Sequence, residues 1–565
     1  MFKLRLLNRY ISVFVFLSLS FCAYPSAIGQ KGVVVSKNRI ASEIGVGILK
    51  KGGNAIDAAV ATGFALSVTE PYAGNIGGGG FMIIHLSDGN SHSIDFRETA
   101  PFLATTNMYL DDSLNVVSGM SLYSADASGV PGTVAGFALA HEKFGKLQWH
   151  QLVSPSIKIS NQGFKLDPYT IEFLNHPFFT QVLSQYDYTR KIFLKKSPYL
   201  LGDFLVQKDL AKTLQRISVK GANGFYNGKT AKMIVETNNK WGGRFTEKDL
   251  ESYSAIMRDP IVFRYRGYKV ITMPPPSSGG VCLAQILNQL ENIEFKEDEF
   301  HSYRHVHAMV KASKNAYSDR ARYLGDPDFV DNPTDTLVSK IYSQSRWEEH
   351  SFELVIPSKD ISYGNIKIDE SEETTHFSVL DQWGNAVSVT YTLNGAFGSG
   401  MAVEGAGFLL NNEMDDFSVK PNTPNQWGLI GNEANKIEPG KRMLSSMTPT
   451  IVLDPNDNLF LVTGSPGGST IITSIAQLLV NVIDFDMDVE SSVQSPRFHH
   501  QLFPDVIFHE KGAFSVETIN KLVEKGYVLK ERSSIGSINS IYFDINSRRI
   551  FGSSDNRRNS SAVSY

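Results

Sequence analysis

The sequence predicts an α+β fold in which two sheets are sandwiched by helices. Two observations carry that expectation. β-prone runs joined by hairpin turns stand near the start of the chain and again after Thr374, and the stretch from about 130 to 350 between them reads mainly as helix with Pro and Gly punctuation. Strands at both ends with helices between fit a layered architecture, because a sheet must bury its apolar face against another layer. The chain has 565 residues and a formal charge of −4, enough for one large αβ unit or several domains. No basic stripe points to nucleic acid; Arg548-Arg549 and Arg557-Arg558 are short pairs that read as solvated surface.

Residues 1–29 have the layout of a secretory signal peptide. Lys3, Arg5 and Arg9 give a positive start, Ile11 to Ala23 an apolar core, and Ala27-Ile28-Gly29 a small-residue cleavage site. Cleavage there leaves Gln30 as the mature N-terminus of an exported protein, periplasmic or extracellular. The apolar run is shorter than the roughly 20 residues a spanning helix needs, so no stable membrane span is expected. Bulky Phe21 before Cys22 disfavours a lipid anchor. The mature chain keeps only Cys282, which excludes an internal disulfide. Cys282 heads the run Leu283, Ile286, Leu287, Leu290 and reads as a buried helix residue.

Helical spacing runs from Ile40 to Leu49 and stops at Gly52-Gly53. Asn54 is placed to cap a second helix reaching about Val68, where Glu70-Pro71 halts it. Its Ala58, Ala59, Ala61, Gly63 and Ala65 are small, so it is expected to pack closely and to be buried. Phe81–Leu86 and Ser91–Arg97 read as strands paired through an Asp-Gly turn. Val134 to Ala140 exemplifies the helical middle. After Thr374 strands return, followed by the apolar helix Ile471–Ile483. Lys420 to Lys441, with Pro, Asn and Gly, reads as a surface loop.

A chemical signal sits in the first of these later strands, Thr374-Thr375-His376-Phe377-Ser378-Val379, which meets Ala386–Leu393 across a turn at Asp381–Asn385. Folded symmetrically about Trp383, the hairpin sets Thr374 opposite Thr392, with Asn394 just beyond. Directly opposed residues have Cβ atoms about 5 Å apart. A Thr hydroxyl is a weak nucleophile that becomes a good one when its own free α-amine is the general base. An α-amine with a pKa of about 7.7 is partly neutral at neutral pH. Thr374 has such an amine only if the chain is cut between Glu373 and Thr374. Taken alone, Thr-Thr in a strand is ordinary β-propensity.

Further segments join it: Gly53–Ala59, Gly74–Phe81, Ile94-Asp95-Phe96-Arg97-Glu98, Met273–Gly280, Leu409–Phe417, Leu444-Ser445-Ser446-Met447-Thr448-Pro449 and Thr463–Gly468. In this order they resemble the γ-glutamyltranspeptidase (γ-glutamyltransferase) family of N-terminal-nucleophile hydrolases over nearly the whole chain after the signal segment. The resemblance implies a four-layer αββα sandwich with two stacked antiparallel sheets. It implies a chain that cuts itself before Thr374 into a large subunit, 30–373, and a small subunit, 374–565, which stay together as a heterodimer. Thr374 would then attack a γ-glutamyl amide such as glutathione and pass the γ-glutamyl group to water or to the amine of an amino acid or peptide. No metal or cofactor is implied.

The site residues follow from the same resemblance. Thr392 matches the Thr that hydrogen-bonds the nucleophile, as the hairpin register suggests independently. Arg97 matches the clamp on the substrate α-carboxylate, for which a guanidinium fork is geometrically suited. Ser445 and Ser446 match its hydroxyl donors. Asn394, Glu413 and Asp416 match the acceptors for the α-ammonium. Gly467 and Gly468 match the oxyanion hole, where missing side chains let backbone N–H groups approach. Trp427 is the candidate lid aromatic, and His376 is read as structural. Glu413 stands where some relatives carry Gln, and Gly395-Ala396 where relatives can have hydroxyl residues.

Singly, each residue has a plainer reading: Arg97 a paired surface group, Asp415-Asp416 a turn, Ser445-Ser446 a loop, Gly464–Gly468 a strand-to-helix turn. Rival motifs are weaker. Asn227-Gly228-Lys229-Thr230 resembles the end of a P-loop, but Asn223 occupies the required first Gly. Neither Gly-x-Ser-x-Gly nor His-Glu-x-x-His is present. Within the same fold the alternative is a cephalosporin or glutaryl acylase, disfavoured because a glutaryl group lacks the ammonium that Asp416 would meet. From another class, an inactive relative serving as a binding protein would fail to cut itself.

Overall fold

The computed structural model describes residues 26–361, 374–420 and 423–565. The charged start and apolar core of the signal segment, and Glu373, lie outside the described residues. Fourteen strands form the two main sheets. They are β1 (Ala27–Gly29), β2 (Val33–Ser36), β3 (Gly79–His85), β4 (Ser91–Phe96), β5 (Ile256–Arg258), β6 (Ile261–Tyr265), β7 (Tyr268–Thr272), β8 (Thr375–Leu380), β9 (Ala386–Thr392), β10 (Thr450–Leu453), β11 (Leu459–Thr463), β12 (Asn539–Asp544), β13 (Arg549–Ser554) and β14 (Ser561–Ser564). One seven-stranded sheet has the order β1-β13-β12-β11-β10-β7-β6, the other β14-β2-β8-β9-β3-β4-β5. Neighbouring strands in both are antiparallel.

Alternation along each strand builds the layers, since successive side chains point to opposite faces. Val33 and Val35 of β2 join Phe81, Ile83, Ile271, Ile451, Val462 and Ile541 in an apolar layer between the sheets. Val34 points the other way, with Met82 and Ile84, into a core shared with α1 (Arg39–Lys50), α2 (Ala55–Thr69) and α3 (Thr133–Phe144). On the far side, α4 (Gly279–Leu290), α5 (Tyr303–Tyr323) and α6 (Thr470–Ile483) pack with Val270, Val452 and Leu461. The result is the expected four-layer αββα sandwich.

Helix α2 shows how local sequence fixes position. Asn54 and Asp57 form a reciprocal capping box, which satisfies two backbone donors at the helix start. Ala55 N also donates to Asp381 Oδ2 at 2.9 Å, tying the helix to the β8–β9 turn. Every residue of α2 is buried. A Cβ at Gly63 would stand 2.3 Å from the Phe137 ring, so the small residues are what admit α3 at this distance.

Two expectations need adjustment. The stretch read as mainly helical also supplies β5, β6 and β7. Its signal is the buried-exposed alternation of Ile261, Val262, Phe263, Arg264 and Tyr265, too short to stand out among long helices. The region 420–441 is not simply surface loop: Trp427, Leu429 and Ile430 are buried. Ala27–Gly29, read as a cleavage site, pairs with β13 as an edge strand. Cys282 is buried on α4 as expected, and burial pushes its thiol up to about 12. Among the described residues no helix is long and apolar enough to cross a membrane.

Candidate active site

Thr374 leads into β8, and Thr392 ends β9. Thr375 pairs with Tyr391 and His376 with Thr390, the register folded about Trp383. Continued by one residue it sets Thr374 opposite Thr392, and both line a pocket of about 280 Å³. Arg97, Asn394, Glu413, Asp416, Trp427, Ser445, Ser446 and Gly468 line it too. Residues from 97 to 471 are thus brought to one cavity, at strand ends and loops supported by the two sheets.

Each wall has a local cause. Arg97 follows β4, where Asp95 Oδ1 accepts from its backbone N at 2.9 Å. Asn394 takes a positive φ of 72° just past β9, so the chain turns back and its N–H reaches Thr392 Oγ1 at 2.8 Å. Asn411 Oδ1 accepts from Glu413 N at 3.0 Å and fixes the short turn Glu413–Asp416. The Ser445 backbone is tied on both sides to the segment before α4: its N donates to Pro276 O at 2.9 Å and its O accepts from Ser278 N at 2.8 Å. Gly467 and Gly468 have φ of 134° and 52° between β11 and α6, a path L side chains rarely follow. A Cβ at Gly468 would sit 2.4 Å from the Trp427 ring, so the indole lies directly on that glycine.

Charge is concentrated around Arg97. It is fully buried, and its guanidinium bonds the Glu413 carboxylate and, at 2.5 Å, Asp416 Oδ2. Glu98 stands 3.8 Å away. Burial raises the Glu413 carboxyl well above the usual range, opposed by Arg97; Asp416 is raised for the same reason. Burial pushes Glu98 up to about 8. Burial opposes the Arg97 charge, but Glu413, Asp416 and Glu98 outweigh it and hold its pKa above the ordinary value. Arg97 therefore stays a cation while three carboxyls compete for it.

Two polar atoms in the pocket wall are buried without a hydrogen-bond partner among the described residues, Ser446 Oγ and Glu413 Oε2. One can donate and the other can accept. Asn394 Oδ1 takes a 2.6 Å bond from Trp427 Nε1, which latches the loop over the cavity. His376 hydrogen-bonds Thr390 Oγ1 and Ser378 Oγ at 2.9 and 3.1 Å, and burial pushes it down to about 3, so it is a neutral structural ring. Of the sequence-predicted set only Gly467 is absent from the immediate lining, and it precedes Gly468 in the same turn. Sequence reading did not single out Glu98, Lys37 or Glu70 as site residues, and it misplaced Arg558, read with Arg557 as solvated surface but buried beside Thr374. Their neighbours along the chain gave no cue, because their roles depend on contacts from distant segments.

The sequence profile described as Gamma-glutamyltranspeptidase matches residues 41–565. The chain is 47% identical over 529 residues to a glutathione hydrolase proenzyme of Escherichia coli (strain K12), covering 94% of this chain and 90% of that protein. It is 42% identical over 545 residues to a protein of the same name from Pseudomonas aeruginosa, covering 95% and 96%. Among solved structures, the γ-glutamyltranspeptidase of Helicobacter pylori matches at 45% identity with a TM-score of 0.57, covering 60% of this chain and 96% of that one. A cephalosporin acylase from Bacillus halodurans matches with a TM-score of 0.82 over 97% of this chain and 98% of its own, at 24% identity, which speaks for the fold alone.

Proposed function

The chain belongs to the γ-glutamyltranspeptidase family, and we propose from this how its residues divide the work of a self-processing glutathione hydrolase and γ-glutamyltransferase. In self-cleavage, Thr374 Oγ1 attacks the carbonyl of Glu373. The acyl group moves from the Thr374 nitrogen to its oxygen, and water hydrolyses that ester. The products are a large subunit, 30–373, and a small subunit, 374–565, with a free α-amine on Thr374. In turnover that amine takes the hydroxyl proton as Thr374 Oγ1 attacks the γ-carbonyl of the donor. The oxyanion forms beside Gly467 and Gly468, the amide nitrogen leaves with a proton, and a γ-glutamyl ester remains on Thr374. Water or an acceptor amine then releases the γ-glutamyl group.

The observation that carries the donor assignment is the pair of orphaned atoms flanking Arg97. A γ-glutamyl group ends in an α-carboxylate and an α-ammonium. The carboxylate suits Arg97 and the free Ser446 hydroxyl, with Ser445 beside it; the ammonium suits the free Glu413 Oε2 together with Asp416 and Asn394. Binding then satisfies groups that are costly to leave buried and unpaired. A glutaryl group has no ammonium to do so. Thr392 orients the nucleophile, and Trp427 closes the pocket above Gly468. The basic start of the chain supports export to the periplasm or cell exterior.

Denaturing mass measurement on the purified protein is the test. Two chains, the smaller beginning at Thr374, are expected, together with release of the anilide from a γ-glutamyl-anilide. Thr374→Ala should give one uncut, inactive chain; two subunits of normal mass from that variant would overturn the mechanism.

A further inference from the structure

Beside Thr374, outside the lining of the substrate pocket, lies a buried cluster of charge that the mechanism above does not use. Lys37, in the turn between β2 and α1, and Glu70, just after α2, are both almost fully buried and pair at 2.7 Å. Glu70 Oε2 accepts from Thr375 Oγ1 at 2.7 Å. Lys37 Nζ donates to the carbonyl oxygen of Thr374 at 3.5 Å, and Arg558 Nη1, from the segment between β13 and β14, donates to the same oxygen at 3.4 Å. Aromatic faces hold both cations in place. Lys37 Nζ stands 5.4 Å from the Tyr72 ring and 5.6 Å from the Tyr169 ring, and the Arg558 guanidinium 5.9 Å from Tyr169.

A buried ion pair is a weak source of stability, since desolvation offsets its attraction. Its place against the nucleophile has a chemical consequence. The nitrogen and carbonyl oxygen of one residue are at most about 3.6 Å apart, so both cations lie within about 7 Å of the Thr374 α-nitrogen. Nearby positive charge disfavours an ammonium and leaves more free amine, and nearby negative charge does the reverse. We propose that the Lys37–Glu70 pair sets the basicity of the Thr374 α-amine: Lys37, helped by Arg558, keeps the amine in its proton-accepting form, and Glu70 limits that effect while holding the Thr375 hydroxyl. Lys37 and Glu70 are thus positioning residues that act through Thr374. This inference rests on the reading of Thr374 as an N-terminal nucleophile.

Other charged groups around Thr374 do not substitute for the pair. His376 on β8 is neutral. Across the pocket, Arg97 is matched to Glu413 and Asp416, and Arg320 on α5 faces Asp416. The Tyr391 phenol on β9, near Glu70, is raised far above its ordinary value by burial and stays neutral.

The test uses the self-processed two-chain protein as wild type, Lys37→Met, Glu70→Gln and the double variant. Two quantities are followed against pH: kcat with a γ-glutamyl-anilide, and acetic anhydride labelling of the Thr374 amine, read by mass on the N-terminal peptide of the small subunit. Lys37→Met should move the acid limb of kcat and the labelling midpoint up by about one pH unit, and Glu70→Gln should move both down. The double variant, which removes both charges, should return close to wild type. Wild-type limbs in all three variants, or shifts of one sign for both single changes, would overturn the proposal. If Lys37→Met does not process itself, Glu70→Gln and the double variant decide by the same criteria. A wild type with no label on Thr374 would instead overturn the N-terminal-nucleophile reading, and this inference with it.

Discussion

Around Arg97 the chain gathers three carboxyls for one guanidinium, an arrangement that favours an incoming cation. Arg97→Ala should raise KM for γ-glutamyl donors by tenfold or more, since a bond between charged groups contributes about 1.5–3 kcal/mol, while self-cleavage continues. Steady-state kinetics beside a denaturing gel separates the two effects, and an unchanged KM would remove Arg97 from carboxylate binding. Ser446→Ala should raise KM with a smaller change in kcat. Glu98 gives a pH prediction. A carboxyl whose folded value lies above its unfolded one stabilises the fold while it is protonated. That contribution is full below the unfolded value of 4.5 and is lost as the pH climbs through about 8. Glu98→Gln should therefore flatten the fall in Tm between these values and raise Tm at pH 9, on the order of a few degrees. Equal Tm at pH 9 would mean that Glu98 is not held protonated. Arg97, Ser446 and Asp416 were legible because they sit in distinctive short motifs. Glu98 lies in the same motif, yet its raised carboxyl was invisible, because it comes from burial in the folded interior, to which Asp416, far away along the chain, adds.

The hairpin β8–β9 was readable from its turn and its alternation, and its register followed from symmetry about Trp383. Its precise seating depends on a neighbour. A Cβ at Gly78, just before β3, would stand 1.8 Å from Thr392 O. Gly78→Ala must push β9 away from β3 and displace Thr392. Loss of self-cleavage is expected even where the chain still folds, and a variant that cuts itself at the wild-type rate would contradict this. The loop carrying Trp427 was misjudged as surface because its Pro, Asn and Gly content resembles a solvated turn. Only the folded chain shows its indole over Gly468 and bonded to Asn394. Trp427→Ala should open the pocket and raise KM for small donors, whereas Trp427→Phe, which keeps ring cover but loses the bond to Asn394, should lie between it and wild type.

Across the whole molecule the two segments on either side of Thr374 are interleaved. In the second sheet β8 lies between β2 and β9, and β9 between β8 and β3. β14, near the C-terminus, pairs with β2. Each sheet thus joins strands from 30–373 to strands from 374–565, and cutting one bond leaves these ladders and the shared cores in place. The two subunits should co-elute as one heterodimer on native size exclusion and separate only in denaturant; dissociation in plain buffer would contradict this. The same interleaving explains how a chain can fold completely before it cuts itself, since the hairpin that carries Thr374 needs both halves around it.

Alternation, turn residues, helix caps and short dense motifs are local properties, so the sequence alone was enough for the layered fold, the hairpin, the place of Thr374 opposite Thr392 and most of the pocket wall. Charge in a folded interior is not local. The competition of Glu98, Glu413 and Asp416 for Arg97, the seating of Trp427 on Gly468, and the placing of Lys37, Glu70 and Arg558 beside Thr374 arise only when distant segments meet out of water. There a buried charge is governed by whichever groups the sheets bring beside it, and its neighbours in sequence do not reveal them.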